Sequence, residues 1–146
     1  MLEIFTNSAE ETILLGNKIG KLLEPGDIVA MQGTLAAGKT TFTKGIAQSL
    51  AINETITSPT FTLISEYEGI RPLYHMDVYR LNSEEEFIDL GVEDLMYSDG
   101  ISIIEWSEKV MGQLPKKTII IHIEILENDK RKFTISNFKY EDKLQS

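Results

Sequence analysis

The sequence contains no cysteine among its 146 residues. Disulfides, thiolate nucleophiles and cysteine-ligated metal sites are therefore excluded. Histidine is scarce as well, with two residues, His75 and His122. Both lie in apolar segments, where a packed, hydrogen-bonded ring is the common explanation. We therefore expect no histidine-based metal centre.

Long apolar runs are also missing, and basic residues are fewer than acidic ones. No segment approaches the roughly 20 apolar residues of a membrane-spanning helix, and Met1-Leu2-Glu3 begins no signal-like core, so we expect a soluble, cytoplasmic protein. Lys and Arg total 14 against 23 Asp and Glu, a net charge of −9, which argues against nucleic-acid binding by this chain alone. The only basic run, Lys130-Arg131-Lys132, fits a solvated turn or a phosphate contact equally well.

The segment from Gly33 to Thr40 reads GTLAAGKT and matches the phosphate-binding pattern G-x-x-x-x-G-K-[ST]. Glycines let the backbone turn tightly around an anion, while the lysine and threonine supply a cation and a Mg²⁺ ligand. The apolar run 28–32 precedes the segment, and a helical pattern from Lys39 to about Ala51 follows it. This strand-loop-helix context favours nucleotide binding over a plain glycine turn. Ala36 replaces a second internal glycine and carries strain of about 1 kcal/mol if its φ is positive.

Strand and helix patterns alternate along the rest of the chain. A capping box at Ser8 opens a helix that Pro25-Gly26 ends, and a second box at Ser83 opens a short helix closed by Gly91. Strands are predicted at 28–32, 63–67, 73–79, 101–106, 118–126 and 132–136. We predict one domain, 1–146, with a loose tail at about 138–146. Its fold is α/β, of the P-loop NTPase type: a mostly parallel central sheet flanked by helices, with the C-terminal hairpin as an antiparallel edge.

Two carboxylates are predicted at the edge of the sheet where ligands bind, beyond the carboxyl ends of parallel strands. Glu105 follows four apolar or small residues, like the acid that ends a Walker B strand, and is predicted to hold Mg²⁺ directly or through water. Its alternative is a helix N-cap. Asp77 ends another strand, and its alternative is a turn residue.

For two features near these carboxylates, the residues alone allow two interpretations each. Thr57, Ser58 and Thr60 lie on a proline-stiffened polar segment that resembles a γ-phosphate-sensing switch, but an ordinary polar loop fits as well. Trp106 directly follows Glu105, and it fits core packing as well as closure over the site.

Four blocks in order, GTLAAGKTT, TSPTFTLISEY, LYHMDVYRL and IEWSEK, resemble the TsaE family, formerly YjeE. This is a family of small bacterial P-loop ATPases required for making threonylcarbamoyladenosine next to the anticodon of tRNAs that read codons starting with adenine. The resemblance covers the chain from the Ser8 helix to the Arg131 hairpin.

The resemblance implies an ATP site with Mg²⁺. Asp77 and Glu105 are the implied catalytic residues, and Thr40 and Glu105 are the implied metal ligands. The basic residue of the last hairpin is matched loosely by Lys130 or Arg131. The implied nucleotide contacts are Ala9, Thr12, Gly33, Leu35, Ala36, Ala37, Gly38, Lys39, Thr40, Thr41, Thr60, Trp106 and Arg131.

The resemblance further implies an ATPase that is slow alone and acts as a switch on a complex of TsaD and TsaB, meeting tRNA only through that complex. The acidic net charge fits work on protein partners. A small nucleotide or metabolite kinase is the first alternative, although no Arg-rich lid is visible. A GTPase is also possible, but the sequence contains no N-K-x-D element for binding guanine. A non-catalytic nucleotide-dependent adaptor is a third class.

Overall fold

The computed structural model describes residues 1–33, 38–57 and 64–145. The strands are β1 (Leu2–Thr6), β2 (Ile28–Gly33), β3 (Ile64–Tyr67), β4 (Leu73–Asp77), β5 (Ile101–Glu105), β6 (Ile119–Ile125) and β7 (Arg131–Ser136). The α-helices are α1 (Ala9–Leu22), α2 (Lys39–Ser49), α3 (Glu84–Asp89), α4 (Val92–Met96) and α5 (Glu141–Gln145). Short 3₁₀ helices occupy Ser107–Lys109, Met111–Gln113 and Glu127–Asp129.

All these strands form one sheet in the order β1-β7-β6-β2-β5-β4-β3. The central strands β6, β2, β5 and β4 run parallel to one another. The pairs β1–β7, β6–β7 and β3–β4 are antiparallel. The predicted α/β fold with a parallel core is confirmed, and the carboxyl ends of β2, β4 and β5 meet at one edge.

Helices cover the sheet because its central strands are apolar on both faces. One core cluster joins α1 and α2 to the strands through residues such as Ile19, Phe42 and Ile103. A second cluster joins α3 and α4 to the opposite face through Phe87, Met96 and Ile104. Successive strand residues point to opposite faces, which places Ile103 and Ile104 in different clusters.

Both predicted capping boxes form. The hydroxyl of Ser8 accepts the N–H of Glu11 at 3.1 Å, and that of Ser83 accepts the N–H of Glu86 at 3.3 Å. In each case the glutamate reaches back one residue beyond the N-cap, to the N–H of Asn7 at 2.9 Å and of Asn82 at 3.0 Å. These bonds satisfy N–H groups that a helix start leaves without partners.

Two expectations about the periphery are wrong. The hairpin strand β7 is not the edge, because β1 pairs outside it. Over its described residues, 138–145, the tail is not loose, because Phe138 and Tyr140 are buried in the main core and α5 follows them. Gly91, by contrast, closes α3 as predicted, and it also caps α4 with a φ of 75°.

Helices α1 and α2 pack at glycines, and this contact positions the start of α2. A Cβ added at Gly45 would lie 2.1 Å from the carbonyl oxygen of Ile13 and 2.9 Å from the Cα of Gly16. Real Cβ atoms do not approach backbone so closely, so the two helices would have to separate.

We expect Gly45→Ala to lower the free energy of unfolding by about 1–3 kcal/mol, the usual cost of overpacking, although alanine is the better helix former. Urea denaturation measures the change. Lys44→Ala, at an exposed position of the same helix, is the control and should stay within about 0.5 kcal/mol of the parent protein. An unchanged or higher stability of Gly45→Ala would contradict the close packing.

Candidate functional site

The loop between β2 and α2 begins and ends at glycines whose backbones other residues avoid. Gly33 has a φ of 142° and Gly38 a φ of 100°. A Cβ at Gly33 would also lie 2.6 Å from the carbonyl oxygen of Ile123. Gly38 is the N-cap of α2 and makes no side-chain capping bond. A phosphate-binding loop uses the positive end of such a helix to hold an anion.

Lys39, the first residue of α2, is 4% exposed. Its Nζ donates a hydrogen bond to the carbonyl oxygen of Gly33 at 3.1 Å and lies 3.8 Å from the centroid of the Trp106 ring. Burial lowers the pKa of the Lys39 amine, while the carboxylates of Glu105 and Glu108 oppose the shift. The lysine is thus a desolvated cation beside the loop, and a phosphate group would complete its surroundings.

Asp77 and Glu105 end the neighbouring parallel strands β4 and β5 and are direct partners in their register. Glu105 is 3% exposed. The Oδ1 atom of Asp77 accepts the N–H of Tyr79 at 2.9 Å. Burial raises the pKa of Asp77, and the Glu105 carboxylate adds to this, against the opposing effect of the Tyr79 hydrogen bond. The two carboxylates therefore repel each other at an edge where a divalent cation would relieve the repulsion.

Trp106 lies between an aromatic ring and the lysine. Its backbone adopts the left-handed conformation, with a φ of 62°, and the ring of Tyr79 packs against it with centroids 4.7 Å apart. Lys109 donates a hydrogen bond to the carbonyl oxygen of Leu81 at 3.3 Å and another to that of Tyr79. The indole is partly buried and faces the amine of Lys39, so it is a wall of the site as well as a packing residue.

A cleft of about 330 Å³ lies next to Gly38. It combines the start of α1, the start of α2 and the last hairpin. The residues that line it are Asn7, Ser8, Ala9, Glu10, Thr12, Gly38, Thr41, Asp129 and Arg131. Five of the nucleotide contacts implied by the family resemblance lie here, namely Ala9, Thr12, Gly38, Thr41 and Arg131.

The structure places Arg131 rather than Lys130 at this cleft. A Cβ at Gly38 would lie 3.7 Å from the Nε atom of Arg131. Lys130 lines a separate hollow with Ile125 and Leu126 on the hairpin. The two residues are adjacent and carry the same charge, so their comparison separates contact with the nucleotide from net charge.

We expect Arg131→Gln to weaken ATP binding roughly tenfold, the loss of one charge-assisted hydrogen bond. Lys130→Gln is the matched control and should bind like the parent protein. Calorimetric titration with ATP at fixed Mg²⁺ and ionic strength measures both. A normal affinity for Arg131→Gln together with a weakened one for Lys130→Gln would reverse the assignment.

Four of the predicted contacts, Leu35, Ala36, Ala37 and Thr60, lie outside the described residues, as does most of the predicted switch segment. Thr40 is partly exposed in the first turn of α2, and Thr57 is exposed.

The sequence reasoning missed two residues next to the carboxylates. The packed, hydrogen-bonded ring expected for His75 is confirmed, because the residue is fully buried, but the sequence did not indicate that its partner is Glu105. Glu108 accepts the N–H of Gly33 at 3.4 Å. Each lies inside a block that the family resemblance used, LYHMDVYRL or IEWSEK. His122, by contrast, has a side chain 43% exposed near Glu124, so its expected packed environment is wrong.

The described residues contain no group of three or more His, Asp or Glu side chains arranged to bind a metal ion. The Glu105 carboxylate and the Thr40 hydroxyl would therefore suit Mg²⁺ only if phosphate oxygens and water complete its six ligands. In the same described ranges, no helix has the length and apolarity needed to cross a lipid bilayer.

Known proteins of one family match this chain over nearly its whole length. The family model described as threonylcarbamoyl adenosine biosynthesis protein TsaE matches residues 6–133. The tRNA threonylcarbamoyladenosine biosynthesis protein TsaE of Treponema pallidum is 48% identical over 131 residues, covering 90% of this chain and 97% of the relative. Its namesake in Bacillus subtilis is 42% identical, covering 90% of this chain and 82% of the relative.

The fold agrees as well. The crystal structure of Bacillus subtilis YdiB matches this chain with a TM-score of 0.83 and 35% identity. The match covers 99% of this chain and 90% of that one.

Proposed function

Because the chain belongs to the TsaE family of threonylcarbamoyl adenosine biosynthesis proteins, we propose that it binds and hydrolyses ATP with Mg²⁺ as its part in that pathway. The family acts in the biosynthesis of threonylcarbamoyladenosine in tRNA. The observation that carries the proposal is the position of Lys39. This buried cation directly follows Gly38 and donates a hydrogen bond to the carbonyl oxygen of Gly33. It is also near enough to the carboxylates of Glu105 and Asp77 for their charges to raise its pKa against the effect of burial.

Different residues would bind different parts of the nucleotide. The cleft beside Ala9, Thr12 and Arg131 would take the base and ribose. The N-terminus of α2 and Lys39 would take the phosphates, since both are positive and partly desolvated. The Lys39 ammonium has three N–H donors, so it can keep its bond to the Gly33 carbonyl while the other donors reach the phosphates.

The carboxylates would serve the metal and the water. Thr40 and Glu105 would hold Mg²⁺, which supplies neutralisation of the phosphate charge and orientation of its oxygens. Asp77 would orient the attacking water and accept its proton. Burial makes this carboxylate more basic than usual, which suits a proton acceptor.

We further propose that hydrolysis acts as a switch on a complex of TsaD and TsaB in the cytoplasm, and that tRNA is met only through that complex. The net charge of −9 supports a protein partner, because it would repel a polyanion.

ATP turnover with and without TsaB and TsaD tests the proposal. We expect slow release of free phosphate alone and faster release with the partners. Binding is followed separately by Trp106 fluorescence, which is informative because the chain has one tryptophan and Lys39 lies on its ring. Binding without phosphate release in either condition would indicate an adaptor. A phosphorylated acceptor would indicate a kinase, and no response to ATP would overturn the nucleotide site.

A further inference from the structure

We infer that His75 is a positioning residue that holds the carboxylate of Glu105 in the orientation needed to bind the metal ion. The inference rests on the proposed Mg²⁺–nucleotide site and adds a residue to it. His75 is fully buried in β4, and its Nε2 atom is hydrogen-bonded to Oε2 of Glu105.

Strand geometry explains the contact. His75 and Asp77 are two residues apart on β4, so their side chains point to the same face of the sheet. Glu105 on the parallel strand β5 is the register partner of Asp77 and lies on this face as well. The histidine therefore approaches Glu105 from inside the sheet, while Asp77 lies beside it at the open end.

The other ring nitrogen indicates where the proton lies. The Nδ1 atom of His75 is buried and has no hydrogen-bond partner within residues 1–33, 38–57 and 64–145. A buried N–H without a partner is rarer and more costly than an unpaired acceptor. The proton therefore belongs on Nε2, from which it is donated to Glu105, and Glu105 accepts it as a carboxylate.

This arrangement gives the two carboxylate oxygens of Glu105 different roles. Oε2 is occupied by the histidine, so Oε1 is the oxygen that can turn to the site edge. Without the donor, Glu105 would be a buried carboxylate repelled by Asp77 and able to rotate away from the site. Hydrogen-bond partners of metal-ligating residues typically contribute 10–100-fold to metal affinity or activity.

The test measures metal binding to the nucleotide-bound protein rather than hydrolysis. Mn²⁺ is the probe, and its affinity for the protein–ADP complex is read by electron paramagnetic resonance. His75→Leu removes the donor. His75→Gln restores an N–H at the position of Nε2. His122→Gln is the matched control, because it makes the same change at the other histidine, whose side chain is half exposed.

We expect His75→Leu to weaken Mn²⁺ binding about 10–100-fold and His75→Gln to recover most of that loss. ADP affinity in the presence of a chelator should stay at the parent value in all three variants. Parent-like Mn²⁺ affinity in a folded His75→Leu overturns the inference, and so does equal loss of metal-free ADP binding in both His75 variants. If the parent protein binds neither ADP nor Mn²⁺–ADP, the proposed function fails and the inference fails with it.

If His75→Leu does not fold, the tautomer of the native His75 ring can be measured instead by nuclear magnetic resonance. In ¹⁵N-histidine-labelled His122→Gln protein, the remaining ring should show a one-bond Nε2–H correlation that exchanges slowly with solvent. A spectrum with the proton on Nδ1 alone would overturn the inference, because Nε2 could then donate nothing to Glu105.

Discussion

Replacing Lys39 with methionine is expected to abolish measurable ATP binding and at the same time to raise the melting temperature of the nucleotide-free protein. The loss follows because the phosphates would lose their central cation in a site built around it. The gain follows because burial lowers the pKa of Lys39, which means that the charged amine is destabilised in the folded protein. Methionine keeps the length and flexibility of the chain without the charge.

Calorimetric titration with ATP and thermal unfolding without ligand measure the two effects. Lys44→Met, five residues further along α2 at an exposed position, is the control and should change neither the ATP affinity nor the melting temperature by much. Near-normal ATP affinity in Lys39→Met would overturn the phosphate-binding role of the loop. A lower melting temperature would show that the bonds to Gly33 and Trp106 outweigh the burial of the amine.

Removing either carboxylate at the strand ends is expected to lower kcat for ATP hydrolysis by about two to four orders of magnitude while nucleotide binding persists. Glu105→Gln and Asp77→Asn keep the shape of each side chain, so the change tests charge and basicity rather than packing. Glu105→Gln should also raise the Mg²⁺ concentration needed for activity, because it removes a proposed ligand. Asp77→Asn should leave that requirement nearly unchanged.

Asp77→Asn carries a second expected result, on stability. A carboxyl whose folded-state pKa is raised destabilises the folded protein at pH values above that pKa, and the cost disappears below the ordinary pKa. Burial and Glu105 raise the pKa of Asp77, so Asp77→Asn should stabilise the empty protein at neutral pH, with the difference vanishing under acidic conditions. Denaturation at several pH values measures this.

Exposed acids of α4 provide matched controls for both substitutions. Glu93→Gln and Asp94→Asn should leave turnover and stability close to those of the parent protein. If Glu105→Gln and Asp77→Asn both hydrolyse ATP at the parent rate, the two proposed catalytic assignments are wrong.

Local patterns in the sequence were sufficient for the centre of the fold. The spacing of Gly33, Gly38 and Lys39 between an apolar strand and a helix predicts the strand-loop-helix unit, because turn geometry and periodicity act over a few residues. The two capping boxes form for the same reason. Glu105 and Asp77 could be placed at the same edge because parallel strands have their carboxyl ends together.

Tertiary structure decided what depends on residues far apart in the chain. β1 has a mixed pattern of exposed and buried residues and becomes a strand by pairing with β7 at the other end of the sequence. The tail becomes ordered by burying Phe138 and Tyr140 in a core made by other segments.

The site shows most clearly the difference between what local sequence patterns predict and what tertiary structure decides. The sequence shows which residue types are present, but it does not show which residues they contact. His75 reads as a core residue until the register of β4 and β5 brings it to Glu105, 30 positions away. Arg131 and Lys130 are equivalent in the sequence, and the course of the last hairpin alone places Arg131 at the cleft beside α1. Periodicity specifies which face a side chain occupies, whereas strand order and register specify which side chain it meets.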